Sequence, residues 1–150
     1  MYRFLPLKLG EISNSLVRSA TRTYKRAHGV SGMEWAVMAV LCEQPDITAN
    51  QICRQLGLDK GAASRAVARL TKLQLVVLSD HQVRGRQRFL TLTPTGKALH
   101  QRLMVIAQER ERLLTARLSP GEMDLLLDLL ARLSMQLDAV NRYVPSASET

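Results

Sequence analysis

Apolar residues recur every three or four positions through the first thirty residues, and this spacing predicts an amphipathic helix over about 7–28. The positions on its apolar face are Leu9, Ile12, Leu16, Ala20 and Tyr24. Gly29 follows, and glycine commonly ends a helix because it adopts left-handed backbone angles without strain. The pattern therefore predicts a long helix with one apolar face.

Five further helices are predicted from the same periodicity and from the residues that precede them. Ser31, Thr48 and Ser119 are each followed three residues later by Glu or Gln, which is the pattern of a capping box. Asp59 is a suitable N-cap residue, and Pro94 suits a first helical position. The predicted helices cover about 32–43, 48–56, 60–73, 94–117 and 120–142.

Between the fourth and fifth predicted helices, the chain changes to residues that favour strands. Residues 76–78 and 89–93 predict two short strands, because they are rich in β-branched and alternating apolar residues. The polar segment 79–88 joins them and contains Gly85 as a turn residue. The two strands therefore predict a β-hairpin, and the expected fold class is mainly α with a small β element (α+β).

The last predicted helix is apolar on more than one side. Leu126, Leu130, Leu133 and Leu137 form one stripe, and Leu129 widens it toward a second face. A helix with two apolar faces needs partners on two sides. In a chain of 150 residues, we expect one of these partners to be another subunit.

Composition narrows the class of protein further. A chain of 150 residues with 46% hydrophobic residues is expected to form a domain with a core, not a disordered segment. Its apolar runs are too short to span a membrane, and its first ten residues lack the apolar core of a signal peptide. We therefore expect a cytoplasmic protein that has no membrane partner.

Positive charge is concentrated in one part of the chain. The net charge is +8, and residues 54–88 carry eight basic and two acidic side chains. A basic region of this kind is either an ordinary solvated surface or a site for a polyanion such as nucleic acid.

Residues 51–70 have the pattern of a helix-turn-helix motif, which favours nucleic acid. Gly57 supplies the turn, and the inward positions are apolar: Ile52, Leu56, Leu58, Ala63, Val67 and Leu70. The outward face of the second helix is small and basic near its start, as expected of a helix that enters the major groove of DNA. The residues on this face are Lys60, Gly61, Ala62, Ser64, Arg65, Ala68, Arg69 and Lys72.

The side chains on this face predict two kinds of contact with double-stranded DNA. Arg65 is long enough to reach a guanine edge, and Ser64 can bind a base or a phosphate. Arg69 and Lys72 lie further along the helix, so we expect them to contact the phosphate backbone.

The tip of the predicted hairpin adds Arg84, Arg86 and Arg88. An arginine on a protruding loop can enter a narrow minor groove, where the negative potential is concentrated. An isolated hairpin of this composition is typically only a solvated loop. Beside a basic recognition helix, we interpret it as a DNA-binding wing.

Segment 47–76, followed by the sequence Leu90-Thr-Leu-Thr-Pro-Thr-Gly96, resembles the MarR family of winged helix-turn-helix regulators. The resemblance extends over nearly the whole chain, including the order of its elements. It implies a homodimer whose N- and C-terminal helices interlock. It also implies repression, or sometimes activation, that is relieved by a small and often aromatic or phenolic ligand.

The resemblance divides the chain into two regions. Residues 31–93 are expected to bind DNA, and residues 1–30 and 94–150 are expected to form a helical dimerisation region. The candidate dimer contacts are Leu9, Ile12, Leu16, Leu126, Leu130, Leu133 and Leu137.

Two positions depart from the family pattern. The family wing usually carries Asp-x-Arg, but this chain has Arg84-Gly85-Arg86, so the arginine is kept and its acidic brace is lost. Either Asp80 replaces the brace, or the wing binds more by charge alone. The family also tends to have glycine where this chain has Gln74, which affects the expected turn before the first wing strand.

A ligand that controls DNA binding is expected where the first, second and fifth helices meet, because there it can change the spacing of the recognition helices. The candidate lining residues are Arg22, Tyr24, His28, Trp35 and Met38. Arg22 could pair with a carboxylate of the ligand. Each of the five is otherwise an ordinary core or surface residue.

The remaining chemistry predicts no enzyme, cofactor or metal site. The three histidines are scattered in sequence, and no nucleophile, paired-carboxylate or phosphate-loop motif is present. Cys42 and Cys53 are candidate oxidant sensors, but core packing is the favoured interpretation for both. A further alternative is a helical protein-interaction module that does not bind DNA, for which a neutral recognition face would be expected.

Overall fold

In the computed structural model, which describes residues 4–78 and 88–144, the chain is mainly helical and carries one small sheet. Its helices are α1 (Leu5–His28), α2 (Gly32–Glu43), α3 (Ala49–Leu56), α4 (Lys60–Lys72), α5 (Pro94–Thr115), α6 (Pro120–Met135) and α7 (Leu137–Arg142). Its strands are β1 (Ile47–Thr48), β2 (Val76–Leu78) and β3 (Phe89–Leu92). The predicted α+β class is confirmed.

The residues predicted to start helices do so. At Ser31, Thr48 and Ser119, the hydroxyl accepts a hydrogen bond from the backbone N–H three residues on. The carboxylate or amide oxygen of that third residue accepts one from the capping residue in return. Asp59 Oδ1 accepts from the N–H of Ala62 at 2.8 Å, so α4 is capped as predicted.

The three strands form an antiparallel sheet in the order β1-β3-β2. Val76 lies opposite Leu92, and Leu78 lies opposite Leu90, which confirms the hairpin. Ile47 pairs with Leu90 from the other side of β3. Strand β1 was not predicted, because a two-residue strand has no periodicity to detect.

Contacts between residues divide the chain into two compact units, Met1–Ile106 and Ala107–Thr150. The core of the first unit contains side chains from α1 to α5 and from all three strands: Tyr24, Val30, Val37, Met38, Leu41, Ile47, Ile52, Ala66, Leu70, Leu75, Val76, Leu90, Leu92, Leu99 and Leu103. This core fixes α3 and α4 relative to the sheet. The functional division into residues 31–93 and the two flanking regions stays a prediction.

The second unit differs from the prediction at one point. A single helix was expected over 120–142, but the helix is interrupted at Gln136 between α6 and α7. Ser134 Oγ donates to the carbonyl of Leu130, and the N–H of Gln136 bonds to the carbonyl of Leu133, which tightens the turn. A serine hydroxyl that bonds back in this way often bends a helix.

Within residues 4–78 and 88–144, no helix is both long enough and apolar enough to cross a membrane.

Candidate nucleic-acid interface

Helices α3 and α4 meet at a tight turn and form a helix-turn-helix. Gly57 ends α3 with a left-handed φ of 61°, a conformation that suits glycine. Ile52 on α3 is fully buried, as are Ala63 and Leu70 on α4. Ala66 is also buried, and sequence reasoning missed it although it lies three residues after Ala63 on the same face.

The opposite face of α4 is open to solvent. Lys60, Gly61, Ser64, Arg65, Ala68, Arg69 and Lys72 are exposed, and Ala62 is half-buried. The residues assigned to the outward face from the sequence are thus brought together on one surface. Four of these α4 side chains are basic and none is acidic, and the exposed N-cap residue Asp59 lies beside them at the start of the helix.

Gly61 leaves space for its neighbours at the start of this surface. A Cβ atom added at Gly61 would lie 3.1 Å from Arg65 Nη1 and 3.1 Å from Asp59 Oδ1. The guanidinium of Arg65 therefore lies over the first turn of α4. This places its charge near the N-terminal end of the helix, which is the end that contacts bases in helix-turn-helix proteins.

Arg69 is exposed along part of its length, but its head group is bound within the chain. Its Nε lies 2.8 Å from Glu34 Oε1, and its Nη2 donates to the carbonyl of Gly29 at 3.2 Å. Glu34 was not a candidate from the sequence. No local pattern could have revealed it, because Glu34 and Arg69 lie on separate helices, far apart in the chain.

The predicted wing is only partly described. Strands β2 and β3 form its base, and Arg88 lies exposed one residue before β3. Arg84 and Arg86 lie outside the described residues, as does the possible brace Asp80.

An open groove of about 730 Å³ runs beside the helix-turn-helix. It is lined by Thr48, Asn50, Gln51, Cys53, Arg54, Gly57, Leu58, Lys60 and Phe89. Lys60 belongs both to this groove and to the outward face of α4. The basic surface therefore continues from α4 toward α3.

The residues proposed for an effector site have different environments. Tyr24 and Met38 are core residues, whereas Arg22 and His28 are exposed. Trp35 is half-buried, with its ring centroid 5.4 Å from that of Tyr24 and the two rings inclined by 41°. Its Nε1 is buried and finds no hydrogen-bond acceptor within the described part of the chain.

The prediction that both cysteines pack in the core is right for Cys53 and wrong for Cys42. Cys53 is 8% exposed, whereas Cys42 is exposed to solvent. Cys42 follows the buried Leu41, and one residue rotates a helix by about 100°, so its side chain leaves the core. Residues 4–78 and 88–144 contain no cluster of three or more His, Cys, Asp or Glu suited to a metal ion.

A helix-turn-helix that is followed by a β-hairpin, with basic side chains on the outward face of its second helix, defines a winged helix DNA-binding domain. Residues 28–87 match the sequence model of the MarR family. The chain is also similar to proteins described as transcriptional regulators.

A proposed transcriptional regulatory protein for the hcr operon of Thauera aromatica is 25% identical over 130 residues, which cover 87% of this chain and 77% of that protein. The crystal structure of a MarR/EmrR family transcriptional regulator from Acinetobacter sp. ADP1 is 28% identical, with a TM-score of 0.86 over 91% of this chain and 96% of the other. A probable transcriptional regulator from Pseudomonas aeruginosa is also 28% identical, with a TM-score of 0.69 over 86% of this chain and 98% of the other.

The chain is therefore assigned to the winged helix transcriptional regulators. The family match over residues 28–87 and the 28% identical MarR/EmrR regulator confirm the resemblance to the MarR family seen in its sequence. Members of this family are DNA-binding proteins without enzymatic activity. The prediction that this chain is not an enzyme agrees with the assignment.

Proposed function

We propose that the chain is a transcriptional repressor that binds a pseudo-palindromic operator as a homodimer and is released by a small aromatic ligand. The outward face of α4 supports this proposal most strongly. This face presents small and basic side chains, while the opposite face of the helix is buried in the core. A helix held in this way can keep its side chains in register with base edges.

The side chains of α4 suit different parts of a DNA duplex. Arg65 and Ser64 are proposed to read bases, with Gly61 and Ala62 allowing the helix to approach closely. Lys60 and Lys72 are proposed to bind phosphates on either side. The wing is proposed to add Arg84, Arg86 and Arg88, of which the exposed Arg88 lies at its base.

The charge of this face favours DNA over a protein partner. A helical interaction module without DNA binding would suit a neutral recognition face. Lys60, Arg65 and Lys72 are all exposed on α4, where their positive charges can attract the phosphates of a duplex.

Exposed apolar side chains support the homodimer. On α6 and α7, Leu126, Leu133 and Leu137 are exposed and Leu130 is half-buried. On α1, Leu9 and Ile12 are exposed and Leu16 is half-buried. Several large apolar side chains exposed on one helix are typical of a site of protein association, and the family resemblance indicates a second copy of this chain as the partner.

A dimer with two-fold symmetry would present two copies of α4 to one duplex. The operator is therefore proposed to contain two inverted half-sites, with centres about 34–36 Å apart. We propose that the protein acts in the cytoplasm, as transcriptional regulators of this family generally do.

The ligand is proposed to bind beside the Tyr24–Trp35 pair. The aromatic rings offer stacking surface, and the buried Nε1–H of Trp35 offers a donor for a hydroxyl or carboxylate oxygen. Exposed Arg22 and His28 are available for a negative charge on the ligand. Such a ligand would release DNA only by binding one conformation of the dimer more tightly than the other.

Selection of duplexes from a random pool tests the DNA-binding proposal. We expect the protein to enrich an inverted repeat and to bind it as two chains per duplex. The enriched duplex should bind about 10³-fold or more tightly than a scrambled duplex of the same composition at one salt concentration. Equal binding of the two duplexes would contradict the proposal.

Fluorescence tests the ligand proposal, because Trp35 is the single tryptophan of the chain. A panel of phenols and aromatic carboxylates is titrated into the protein and into its complex with the selected duplex. A compound that releases DNA should change the emission of Trp35 over the same concentration range. Release without any change in emission would place the ligand elsewhere.

A further inference from the structure

The ion pair between Arg69 and Glu34 joins the recognition helix to two other helices. Arg69 lies on α4, Glu34 lies in the first turn of α2, and Gly29 is the C-cap residue of α1. The guanidinium of Arg69 reaches both Glu34 Oε1, at 2.8 Å, and the Gly29 oxygen, at 3.2 Å. One side chain thus connects α4 to the junction between α1 and α2.

The two carboxylate oxygens of Glu34 make two different interactions. Oε2 accepts a hydrogen bond from the N–H of Ser31 at 2.7 Å, which completes the capping box of α2. Oε1 faces Arg69. The side chain of Glu34 is only 7% exposed, and a buried carboxylate that loses its cation is strongly disfavoured. The burial of Glu34 therefore stabilises the position of Arg69 beside it.

We propose that Arg69 is a positioning residue, which holds α4 at the angle needed for specific DNA binding by pairing with Glu34, and that it is not a phosphate contact. This inference rests on the proposed function, because it concerns how the same face of α4 is presented to DNA. It replaces the role expected for Arg69 from the sequence alone.

The two roles predict opposite effects for Glu34→Gln. Glutamine also serves at the third position of a capping box, so the N-terminus of α2 is kept. The substitution removes one negative charge, and for a phosphate-binding surface this would strengthen binding to any duplex. If Arg69 positions α4, the same substitution weakens binding to the selected duplex, because the partner of Arg69 is lost.

The experiment measures affinities of the full chain for the selected duplex and for its scrambled counterpart at several salt concentrations. For Glu34→Gln we expect a loss of about tenfold on the selected duplex, a size typical of coupling within one ion-pair network. Binding to the scrambled duplex should be unchanged or slightly tighter. Arg69→Gln should give a similar loss, and the double variant should be no weaker than either single variant.

Salt dependence separates the two roles of Arg69. A lost phosphate contact would reduce the slope of log affinity against log salt by about 0.9, whereas a lost positioning contact leaves the slope unchanged. Glu109→Gln is the matched control, since it removes one negative charge from an exposed ion pair with Arg112 on α5. It should bind both duplexes as the wild type does.

The outcomes are distinct. A reduced slope for Arg69→Gln, or wild-type affinity of Glu34→Gln for the selected duplex, would overturn the proposal. If one variant fails to fold by circular dichroism, the other still decides between the roles through its affinity or slope. If the wild-type protein selects no sequence at all, the proposed function fails first, and this result is recognisable before any variant is made.

Discussion

Gly96 packs against the backbone carbonyl of Leu75 so closely that a Cβ atom at position 96 would overlap the carbonyl oxygen. Thr93 strengthens the same junction, because its Oγ1 donates to the carbonyl of Gln74 at 2.8 Å and accepts from the N–H of Gly96 at 3.0 Å. The start of α5 is therefore fixed to the turn that leads from α4 into the wing.

Substitution of Gly96 by alanine is expected to lower the free energy of unfolding by about 1–3 kcal/mol, because backbone atoms have to move to admit the methyl group. Urea unfolding measures the change. Gly121→Ala is the control, since Gly121 also lies in a helix and has no neighbouring atom within 4 Å of an added Cβ. A Gly96→Ala protein as stable as the Gly121→Ala protein would show that the contact is not rigid.

Gln74 adopts a φ of 56°, in the left-handed region that favours glycine. The family tends to have glycine at this position, and the structure explains why. We expect Gln74→Gly to raise the free energy of unfolding by about 1 kcal/mol, which is the cost of a left-handed conformation for a residue with a side chain. The comparison is with Gln74→Ala, which keeps the strain. Equal stability of the two variants would rule out this explanation.

We expect His100 to make the free energy of unfolding depend on pH. Burial lowers the pKa of His100 from its ordinary value of 6.5, against a smaller opposing effect of the negative charge of Glu43. The unfolded chain therefore binds a proton more readily than the folded chain, and the free energy of unfolding should fall as the pH drops below about 6.5.

Replacing His100 by glutamine removes this titration, so the variant should lose less stability than the wild type between pH 7.5 and 5.5, a range set by the ordinary pKa of histidine at about 6.5. Thermal unfolding of both proteins across this range makes the comparison. Parallel curves would mean that His100 is protonated as easily in the folded chain as in the unfolded one.

Leu133→Glu tests the proposed dimer contact on α6. A carboxylate placed within an apolar interface is desolvated without a partner, so the dimer should dissociate at concentrations at which the wild type stays associated. Sedimentation velocity at several concentrations measures the association. Met135→Glu is the control, because Met135 is exposed and lies on the opposite side of α6. If both variants remain dimeric, the leucine stripe is not the interface.

Helix boundaries were predictable where local chemistry decides them. Ser31, Thr48 and Ser119 cap helices through contacts within three residues, and Gly29 and Gly57 end helices through their own backbone angles. These interactions depend on residues that are close in sequence, so they can be predicted from a local sequence pattern.

Features that depend on distant residues or on weak local competition were not predictable. The Arg69–Glu34 pair exists only because α2 and α4 pack together, and strand β1 exists only because β3 lies beside it. The interruption at Gln136 has no glycine or proline from which a helix break could be predicted. For the candidate interface, the 3.6-residue period indicated which side of α4 faces out, but not which of its arginines is already bound within the chain.

We propose that Arg65 on the outward face of α4 reads a base, and the affinities of Arg65→Ala for the selected and the scrambled duplex measure this contact. Arg112→Ala is the matched control, because it removes an exposed arginine from α5. We predict that Arg65→Ala weakens binding to the selected duplex by about 1–3 kcal/mol, has little effect on the scrambled one, and relaxes sequence preference at one position of each half-site. Undiminished discrimination between the two duplexes by Arg65→Ala would contradict the claim.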